Sequence, residues 1–311
     1  MTEIPLSIEA VCGCVPSTTV DNRALLTELV GAAKADAIVK STGFPLRRVA
    51  APGSTVFDLA LPAARRALEG VDPSTLCGIV AVTFSAPDRF PALAIRLHDA
   101  LDLPADAAAF DLSLACSGYP YGLFAAAQLA SATGRRVLLV DGDVQSAHVD
   151  TSDFNTLAVM SDAATATLLA PGGTPAFFAF LTDGAGADVL RCGADGKIRM
   201  DGFGVFRFVA GPVSQFLKDF RAAAATTPSL FIPHQANMYM VRQLAKTLGL
   251  EDQLRTSGER FANPGSCSVP LTLAATDGAG SALLAGFGAG LSAAAAFVTV
   301  PPTLRRSLVE A

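Results

Sequence analysis

The chain is apolar and mildly acidic: of its 311 residues 51% are hydrophobic and 16% charged, and its formal net charge is −5. This composition excludes a disordered chain, the lack of a basic run argues against nucleic-acid binding, and no apolar stretch reaches the roughly 20 residues of a membrane span. Because no leader of charged and then apolar residues opens the sequence, we expect a cytoplasmic protein whose six cysteines are reduced thiols.

The first half of the chain alternates short apolar runs with longer segments rich in alanine and leucine. Such alternation is typical of β-α-β units and predicts a mainly parallel sheet covered by helices. The predicted strands are 6–15, 77–84, 107–115 and 137–141, and the predicted helices are 91–101 and 116–133. Cys12 and Cys14 form a Cys-x-Cys pair in the first strand. Without a second pair they are expected to be strand residues rather than metal ligands.

The second half repeats this arrangement after Gly172-Gly173, which we take as the join between residues 1–171 and residues 172–311. Its predicted strands are 229–233, 281–287 and 291–300, and its predicted helix is 236–248, which Gly249 ends. Each half then has a strand, a turn that carries a polar reactive residue, and a helix. Cys116 occupies that turn in the first half, and His234 occupies it in the second.

Cys116 lies where an apolar run gives way to a helical segment. A sulfur at this junction is near the positive end of the helix dipole, which favours the reactive thiolate over the thiol. The alternative is a small buried cysteine that only fills space at the start of a helix. This segment alone leaves both interpretations open.

His234 and Asn263 are the other candidates for a reactive site. His234 directly follows an apolar strand, and in open α/β sheets reactive groups collect beyond the carboxyl ends of strands. A structural histidine is the alternative. Asn263 precedes Pro264 and Gly265, a pattern that is typical of a plain turn. His98, inside a helical pattern, and His148, in a loop, are interpreted as structural.

Three motifs together resemble those of the β-ketoacyl-acyl-carrier-protein synthase III family, in the thiolase superfamily. They are Ala115-Cys116-Ser117-Gly118, Pro233-His234-Gln235-Ala236-Asn237 and Asn263-Pro264-Gly265-Ser266. Further similar segments are the Thr-Gly to Arg-Arg stretch 41–50, Arg89-Phe90-Pro91 and the glycine-rich stretch 286–290. The resemblance extends over residues 6–300. It implies a thiolase-like α/β fold, with two pseudo-symmetric β-α-β halves in α-β-α-β-α layers.

The resemblance also implies an acyltransferase with a catalytic triad of Cys116, His234 and Asn263. An acyl-CoA would load its acyl group on Cys116, which the helix N-terminus and His234 would activate as the nucleophile. The acyl group would then condense with malonyl on an acyl carrier protein as CO₂ is lost. His234 and Asn263 would donate hydrogen bonds to the malonyl thioester oxygen, which stabilises the charge that develops there. The backbone N–H groups of Cys116 and Ala289 would form a second oxyanion hole.

The family pattern further implies a homodimer in which Phe90 crosses the interface and, with Phe287, shapes the acyl pocket. The partners would be acyl-CoA and acyl carrier protein. No cofactor is expected, because the CoA ester is a substrate. Two departures concern substrate binding: Ala37 stands where many members have a tryptophan that stacks on the CoA adenine, and Tyr239 stands where an arginine often helps to dock the carrier protein. Arg242, one turn on, would be the substitute.

Three other functions compete with the condensing enzyme. A thiolase-fold acyltransferase would pass the Cys116 acyl group to an alcohol or amine, which fits the missing tryptophan but leaves Asn263 without a role. A non-catalytic partner subunit is disfavoured by the intact triad. A papain-like hydrolase has Cys, His and Asn in the same order, but β-α-β alternation and a low aromatic content argue against that fold.

Overall fold

The computed structural model describes all 311 residues and shows strands and helices close to the predicted positions. The strands are β1 (Thr2–Val15), β2 (Thr19–Asp21), β3 (Leu46–Arg48), β4 (Leu76–Val82), β5 (Ala108–Leu112), β6 (Arg136–Val144), β7 (Asp162–Pro171), β8 (Thr174–Thr182), β9 (Leu190–Cys192), β10 (Ile198–Met200), β11 (Leu230–Pro233), β12 (Gly280–Gly288), β13 (Ser292–Val300) and β14 (Arg305–Glu310). The helices are α1 (Asn22–Val30), α2 (Ala32–Thr42), α3 (Val56–Ala67), α4 (Leu93–Ala100), α5 (Gly118–Thr133), α6 (Phe154–Leu157), α7 (Gly202–Phe208), α8 (Ser214–Ala224), α9 (Met238–Leu248), α10 (Gly258–Phe261) and α11 (Ser268–Ala275). None of these helices has the length and apolar character that crossing a bilayer requires.

The main sheet is mixed, so the expectation of a mainly parallel sheet was wrong. Its strands follow the order β11-β12-β13-β8-β1-β7-β6-β4-β5, and β14 also pairs with β1. β4 lies parallel to β5 and β6, and β11 lies parallel to β12, as β-α-β units require. β7, β8 and β13 instead pair antiparallel with their neighbours; β8 and β13 follow β7 and β12 with no helix between, which fits antiparallel pairing.

Two central helices, α5 and α11, separate the two halves of this sheet. Their apolar side chains share one core with side chains of β4 and β6 on one side and of β11, β12 and β13 on the other. α3 and α4 cover the outer face of the first half, and α7, α8 and α9 cover the outer face of the second. This arrangement is the α-β-α-β-α layering that the resemblance implied, so the predicted thiolase-like fold is confirmed.

The Gly172-Gly173 join is a turn between β7 and β8. Both glycines have positive φ angles, +77° and +88°, which favour glycine at these two positions. The two halves are not separate in the sheet, since β1 pairs with β7 and β8 and β14 returns to β1. The division into 1–171 and 172–311 therefore stays a prediction.

Small shifts in element boundaries determine where the reactive residues lie. α5 begins at Gly118 rather than at residue 116, because the Gly118 N–H donates to the Ala115 carbonyl at 2.7 Å and closes a turn. Cys116 lies inside that turn. β11 ends at Pro233, so His234 lies in the connection to α9. The Asn237 side chain caps α9 by accepting the Met240 N–H.

Candidate active site

Cys116, His234 and Asn263 line one small cavity of about 90 Å³. They reach it from the turn before α5, the end of β11 and the segment before α11. All three are buried, with exposed fractions of 7%, 1% and 5%. The other residues that line the cavity are mostly apolar, and none carries a formal charge. The fold thus brings together the three residues that the sequence motifs single out.

The glycine-rich stretch 286–290 packs directly against the Cys116 turn. A Cβ atom at Gly286 would lie 2.9 Å from the Cys116 carbonyl oxygen, and one at Gly288 would lie 2.8 Å from the Cys116 Cβ. Both distances are shorter than real Cβ contacts, so neither position has room for a side chain. Glycine is required here because the backbone of β12 approaches Cys116 closely.

The Cys116 thiol is protonated at rest, contrary to the expectation of a thiolate. Burial raises the pKa of the Cys116 thiol to about 11, and the backbone N–H groups of Ala289 and of Cys116 itself, which face the sulfur, oppose that shift without cancelling it. Desolvation therefore outweighs the favourable position near the α5 N-terminus.

Two hydrogen-bonded serine hydroxyls, called the serine relay below, connect the two backbone segments that carry these N–H groups. The Ser292 hydroxyl donates to the Ala289 carbonyl at 2.6 Å, which leaves the Ser117 hydroxyl to donate to Ser292 at 2.7 Å. The relay ties the residue after Cys116 to the loop that carries Ala289. Ala289 has no positive φ angle, so alanine supplies the backbone donor without strain.

His234 is a neutral imidazole held between β11 and α11. Its backbone N–H donates to the Ala285 carbonyl at 2.7 Å, and its ring packs edge-on against Phe287 with centroids 5.5 Å apart. Its Nδ1 atom lies 2.8 Å from the Ser268 hydroxyl. Burial lowers the pKa of His234 to about 4, with the Gly265 backbone opposing the shift. The ring can therefore donate one hydrogen bond without bringing a charge into the cavity.

Asn263 is both a turn residue and an oriented amide. Its Oδ1 atom accepts the Gly265 N–H at 2.9 Å, which identifies the other terminal atom as the donor Nδ2. Nδ2 makes one long contact, 3.4 Å to the Ala236 carbonyl, and its second hydrogen has no protein acceptor. The backbone of Asn263 is fixed by hydrogen bonds with Val159 and Ser161. The amide is thus held with a free N–H donor on the cavity wall.

Two buried carboxyl groups, which sequence analysis missed, lie beneath the Asn263 loop. Asp143 accepts hydrogen bonds at one oxygen from Thr83 and Ser85, and Asp141 accepts one from Ser266. Burial raises the pKa of Asp143 to about 7 and raises that of Asp141 well above its usual range. The second oxygen of each carboxyl group is buried without a partner.

A larger cavity of about 430 Å³ opens from the other side of Cys116. Its walls are formed mainly by apolar side chains, together with the relay serine Ser292; the lining includes Phe84, Leu114, Tyr121, Met160, Leu190, Cys192 and Ile198. Phe287 lies in the small cavity beside His234 and not in this larger one, and its role in an acyl pocket stays a prediction. Phe90 is 85% exposed and lines neither cavity of its own chain, so its role across a dimer interface stays a prediction.

The two positions at which the chain departs from the family pattern, Ala37 and Tyr239, lie on the surface. Ala37 is exposed on α2, and Tyr239 is 55% exposed on α9, where it stacks on Phe206. The Arg242 guanidinium pairs with Glu259 at 3.0 Å, so part of its charge is neutralised within the chain.

The two remaining histidines lie outside both cavities and bond to backbone carbonyl groups, as their structural interpretation expects. The His98 ring contacts the Pro104 carbonyl at 2.9 Å, and the His148 ring contacts that of Gly196 at 2.8 Å. Cys12 and Cys14 are free thiols buried in β1, and all six cysteines are free.

Comparisons with known proteins identify the family of this chain. The family model of 3-oxoacyl-[acyl-carrier-protein (ACP)] synthase III matches residues 110–184, and the model of its C-terminal part matches residues 223–300. Cys116 lies in the first matched segment, and His234 and Asn263 lie in the second.

Individual relatives extend the match to nearly the whole chain. Beta-ketoacyl-[acyl-carrier-protein] synthase III 2 of Streptomyces coelicolor is 34% identical over 92% of this chain and 91% of its own. Acetoacetyl CoA synthase NphT7 of a Streptomyces species is 32% identical over 96% of this chain and 99% of its own. The crystal structure of a 3-oxoacyl-(acyl-carrier protein) synthase from Burkholderia xenovorans superposes with a TM-score of 0.95 and 28% identity, over 100% of this chain and 98% of the other. The chain therefore belongs to the 3-oxoacyl-[acyl-carrier-protein] synthase III family of acyl-transferring condensing enzymes.

Proposed function

We propose that the chain loads an acyl group from an acyl-CoA on Cys116 and condenses it with a malonyl thioester, with loss of CO₂. The observation that carries this proposal is the small cavity, where a buried thiol faces two neutral side chains that can donate N–H groups. One nucleophile and two separate sets of oxyanion donors match a reaction in two steps.

In the first step the Cys116 sulfur attacks the thioester carbonyl of the acyl-CoA. A bond forms from this sulfur to the acyl carbon, the bond from the CoA sulfur breaks, and the thiol proton passes to the departing CoA thiolate. Because the Cys116 thiol is protonated at rest, this proton must leave as the new bond forms. The N–H groups of Cys116 and Ala289 stabilise the oxyanion of the tetrahedral intermediate.

In the second step the malonyl thioester oxygen accepts hydrogen bonds from His234 and Asn263. The malonyl carboxylate enters a cavity that has no cationic side chain. It loses its hydrating water there, and no charged side chain stabilises it instead. Its carbon–carbon bond breaks, CO₂ leaves, and the electron pair forms an enolate held by the two N–H donors. The enolate carbon then attacks the acyl group, which gives the β-ketoacyl thioester and a Cys116 thiolate that takes a proton from solvent.

We propose that the larger cavity holds the acyl chain and that a second copy of the chain completes it. β5 is the last strand of the sheet, and Phe110 on it is exposed, as are Phe90 and Ile95 nearby along the chain. An uncovered apolar edge strand is an aggregation hazard, which pairing with the β5 of a partner removes. The same pairing would bring the exposed Phe90 of one protomer to the other.

The assay that tests this function separates the two steps. Intact-protein mass spectrometry after incubation with a set of acyl-CoA esters measures the acyl adduct, and a tryptic map locates it. Release of labelled CO₂ from malonyl-acyl carrier protein and from malonyl-CoA then measures condensation and compares the two acceptors. A Cys116→Ala variant, which should form no adduct, is the control.

Adduct formation on Cys116 without any CO₂ release from either malonyl thioester would contradict the condensing function and favour transfer to an alcohol or amine. A failure of every acyl-CoA to label Cys116 would instead favour a non-catalytic partner subunit.

A further inference from the structure

Ser268 is the only side chain that hydrogen-bonds the His234 ring. It is the first residue of α11, lies 34 residues after His234 and is fully buried, with its Oγ atom 2.8 Å from Nδ1. A neutral imidazole carries one hydrogen, on Nδ1 or on Nε2, and the partner of one nitrogen decides where that hydrogen is. The direction of the Ser268 bond therefore fixes what the other nitrogen can do.

The hydrogen bonds around Ser268 determine that direction. Its oxygen accepts the Gln235 N–H at 3.2 Å, and its carbonyl accepts the Thr272 hydroxyl at 2.8 Å. The Ser268 hydroxyl itself has one acceptor within hydrogen-bond distance, which is His234 Nδ1. A buried hydroxyl hydrogen without an acceptor is costly, so the bond runs from serine to histidine.

We infer that Ser268 is a positioning residue, which donates to Nδ1 and so places the ring hydrogen of His234 on Nε2. The inference rests on the proposed function and deepens it. With its hydrogen on Nε2, His234 is a hydrogen-bond donor to the malonyl thioester oxygen in the second step. The same ring has no free lone pair on Nε2, so His234 does not take the proton of Cys116 in the first step.

A buried polar network holds the Ser268 hydroxyl in this orientation. Since the Thr272 hydroxyl donates to the Ser268 carbonyl, the Ser257 hydroxyl must donate to Thr272, at 2.7 Å. The Gln235 amide bonds the Pro233 carbonyl through its nitrogen and the Ser257 N–H through its oxygen. The network joins the residue after His234 to the first turn of α11. It leaves little freedom for the serine to rotate.

A spectroscopic measurement on the unaltered protein tests the inference first. In protein labelled with ¹⁵N-histidine, two-bond ¹H–¹⁵N correlations distinguish a protonated ring nitrogen from an unprotonated one. A His234→Gln variant assigns the signals against those of His98 and His148. We expect His234 to have its hydrogen on Nε2 and an unprotonated Nδ1. A hydrogen on Nδ1 would overturn the inference, whatever the enzyme activity.

Two variants then measure the effect on the reaction. Ser268→Ala should slow CO₂ release about 10- to 100-fold, less than the roughly 10⁴-fold loss that a forced wrong tautomer causes in a serine-protease triad. Acylation of Cys116 should stay within about threefold, because His234 takes no proton there. Thr276→Val is the matched control, since it removes a hydroxyl at the end of α11 that bonds the Thr272 carbonyl at 2.7 Å and touches neither His234 nor Ser268.

The outcomes separate this inference from the proposed function. Equal losses in acylation and CO₂ release, or equal effects of Ser268→Ala and Thr276→Val, would make Ser268 merely structural and overturn the positioning role. If the unaltered protein released no CO₂ at all, the proposed function would fail, while the tautomer of His234 would still be decided by the ¹⁵N spectrum.

Discussion

Position and burial lead to opposite expectations for the protonation state of Cys116, and an experiment can decide between them. Position near the start of α5 favours a thiolate, whereas burial raises the pKa of the thiol to about 11. At that pKa only about one molecule in 10³ carries the thiolate at pH 8. A pKa below 7 would instead make the thiolate the main form at the same pH.

Alkylation with iodoacetamide distinguishes the two cases, because only the thiolate reacts. Adduct formation at Cys116, followed by peptide mass spectrometry between pH 6 and pH 10, should accelerate about tenfold per pH unit without a plateau. A plateau above pH 7 would refute the argument that desolvation dominates at this sulfur.

A second cysteine, Cys192, makes a control for the alkylation experiment necessary. It is exposed and lines the larger cavity next to Cys116, so it will also react. The experiment is therefore repeated in a Cys192→Ser variant, and Cys116→Ala gives the background. The profile of Cys116 should be the same with and without Cys192. An acyl-CoA should label Cys116 at a pH where iodoacetamide hardly does, since the departing CoA thiolate takes up the proton.

Three further predictions address the donors, the buried acids and the dimer. Asn263→Ala should slow CO₂ release about 10²- to 10³-fold and leave Cys116 acylation nearly unchanged, whereas equal losses would mark Asn263 as structural. Folded Asp143 has a pKa of about 7, so it binds a proton that the unfolded chain has already lost above about pH 4. Urea titrations should therefore show the free energy of unfolding falling as pH rises from about 4 to about 7, with Asp143 contributing on the order of 4 kcal/mol. Asp143→Asn should make the slope shallower by that amount, while Asp141, whose pKa is also raised, keeps its own contribution; parallel slopes would contradict the raised pKa of Asp143. Phe110→Lys should halve the particle mass measured by light scattering, whereas Phe203→Lys, at a 69% exposed position on α7, should leave it unchanged; a Phe110→Lys dimer would place the interface elsewhere.

The fold and the reactive positions could be predicted because their signals are local. Apolar runs between glycines identify β4, β6, β11, β12 and β13, and the motif around Cys116 marks the turn before α5. The direction of β7 and β8 could not be predicted in the same way. The pairing of a strand depends on partners that are far away in the chain, and the segment 162–182 was not assigned to strands at all.

The supporting hydrogen bonds were invisible for the same reason. The bonds Ser117–Ser292 and Asp141–Ser266 join residues 175 and 125 positions apart. A serine near a glycine-rich loop or at a helix start has several ordinary uses, so its residue type does not reveal a partner. Burial of Cys116 also depends on how closely β12 approaches it. Gly286 and Gly288 allow this approach, but their presence in the sequence does not predict it.

The electrostatic neutrality of the site connects these observations to the reaction. Cys116 is a thiol and His234 a neutral ring at rest, and no charged side chain lines the small cavity. A cation there would bind the malonyl carboxylate tightly and stabilise it before CO₂ leaves, which would raise the barrier to decarboxylation. In the proposed second step, neutral N–H donors from His234 and Asn263 would instead act on the thioester oxygen, where charge appears only as the carbon–carbon bond breaks. The burial that suppresses the Cys116 thiolate is thus the same property that favours the loss of CO₂.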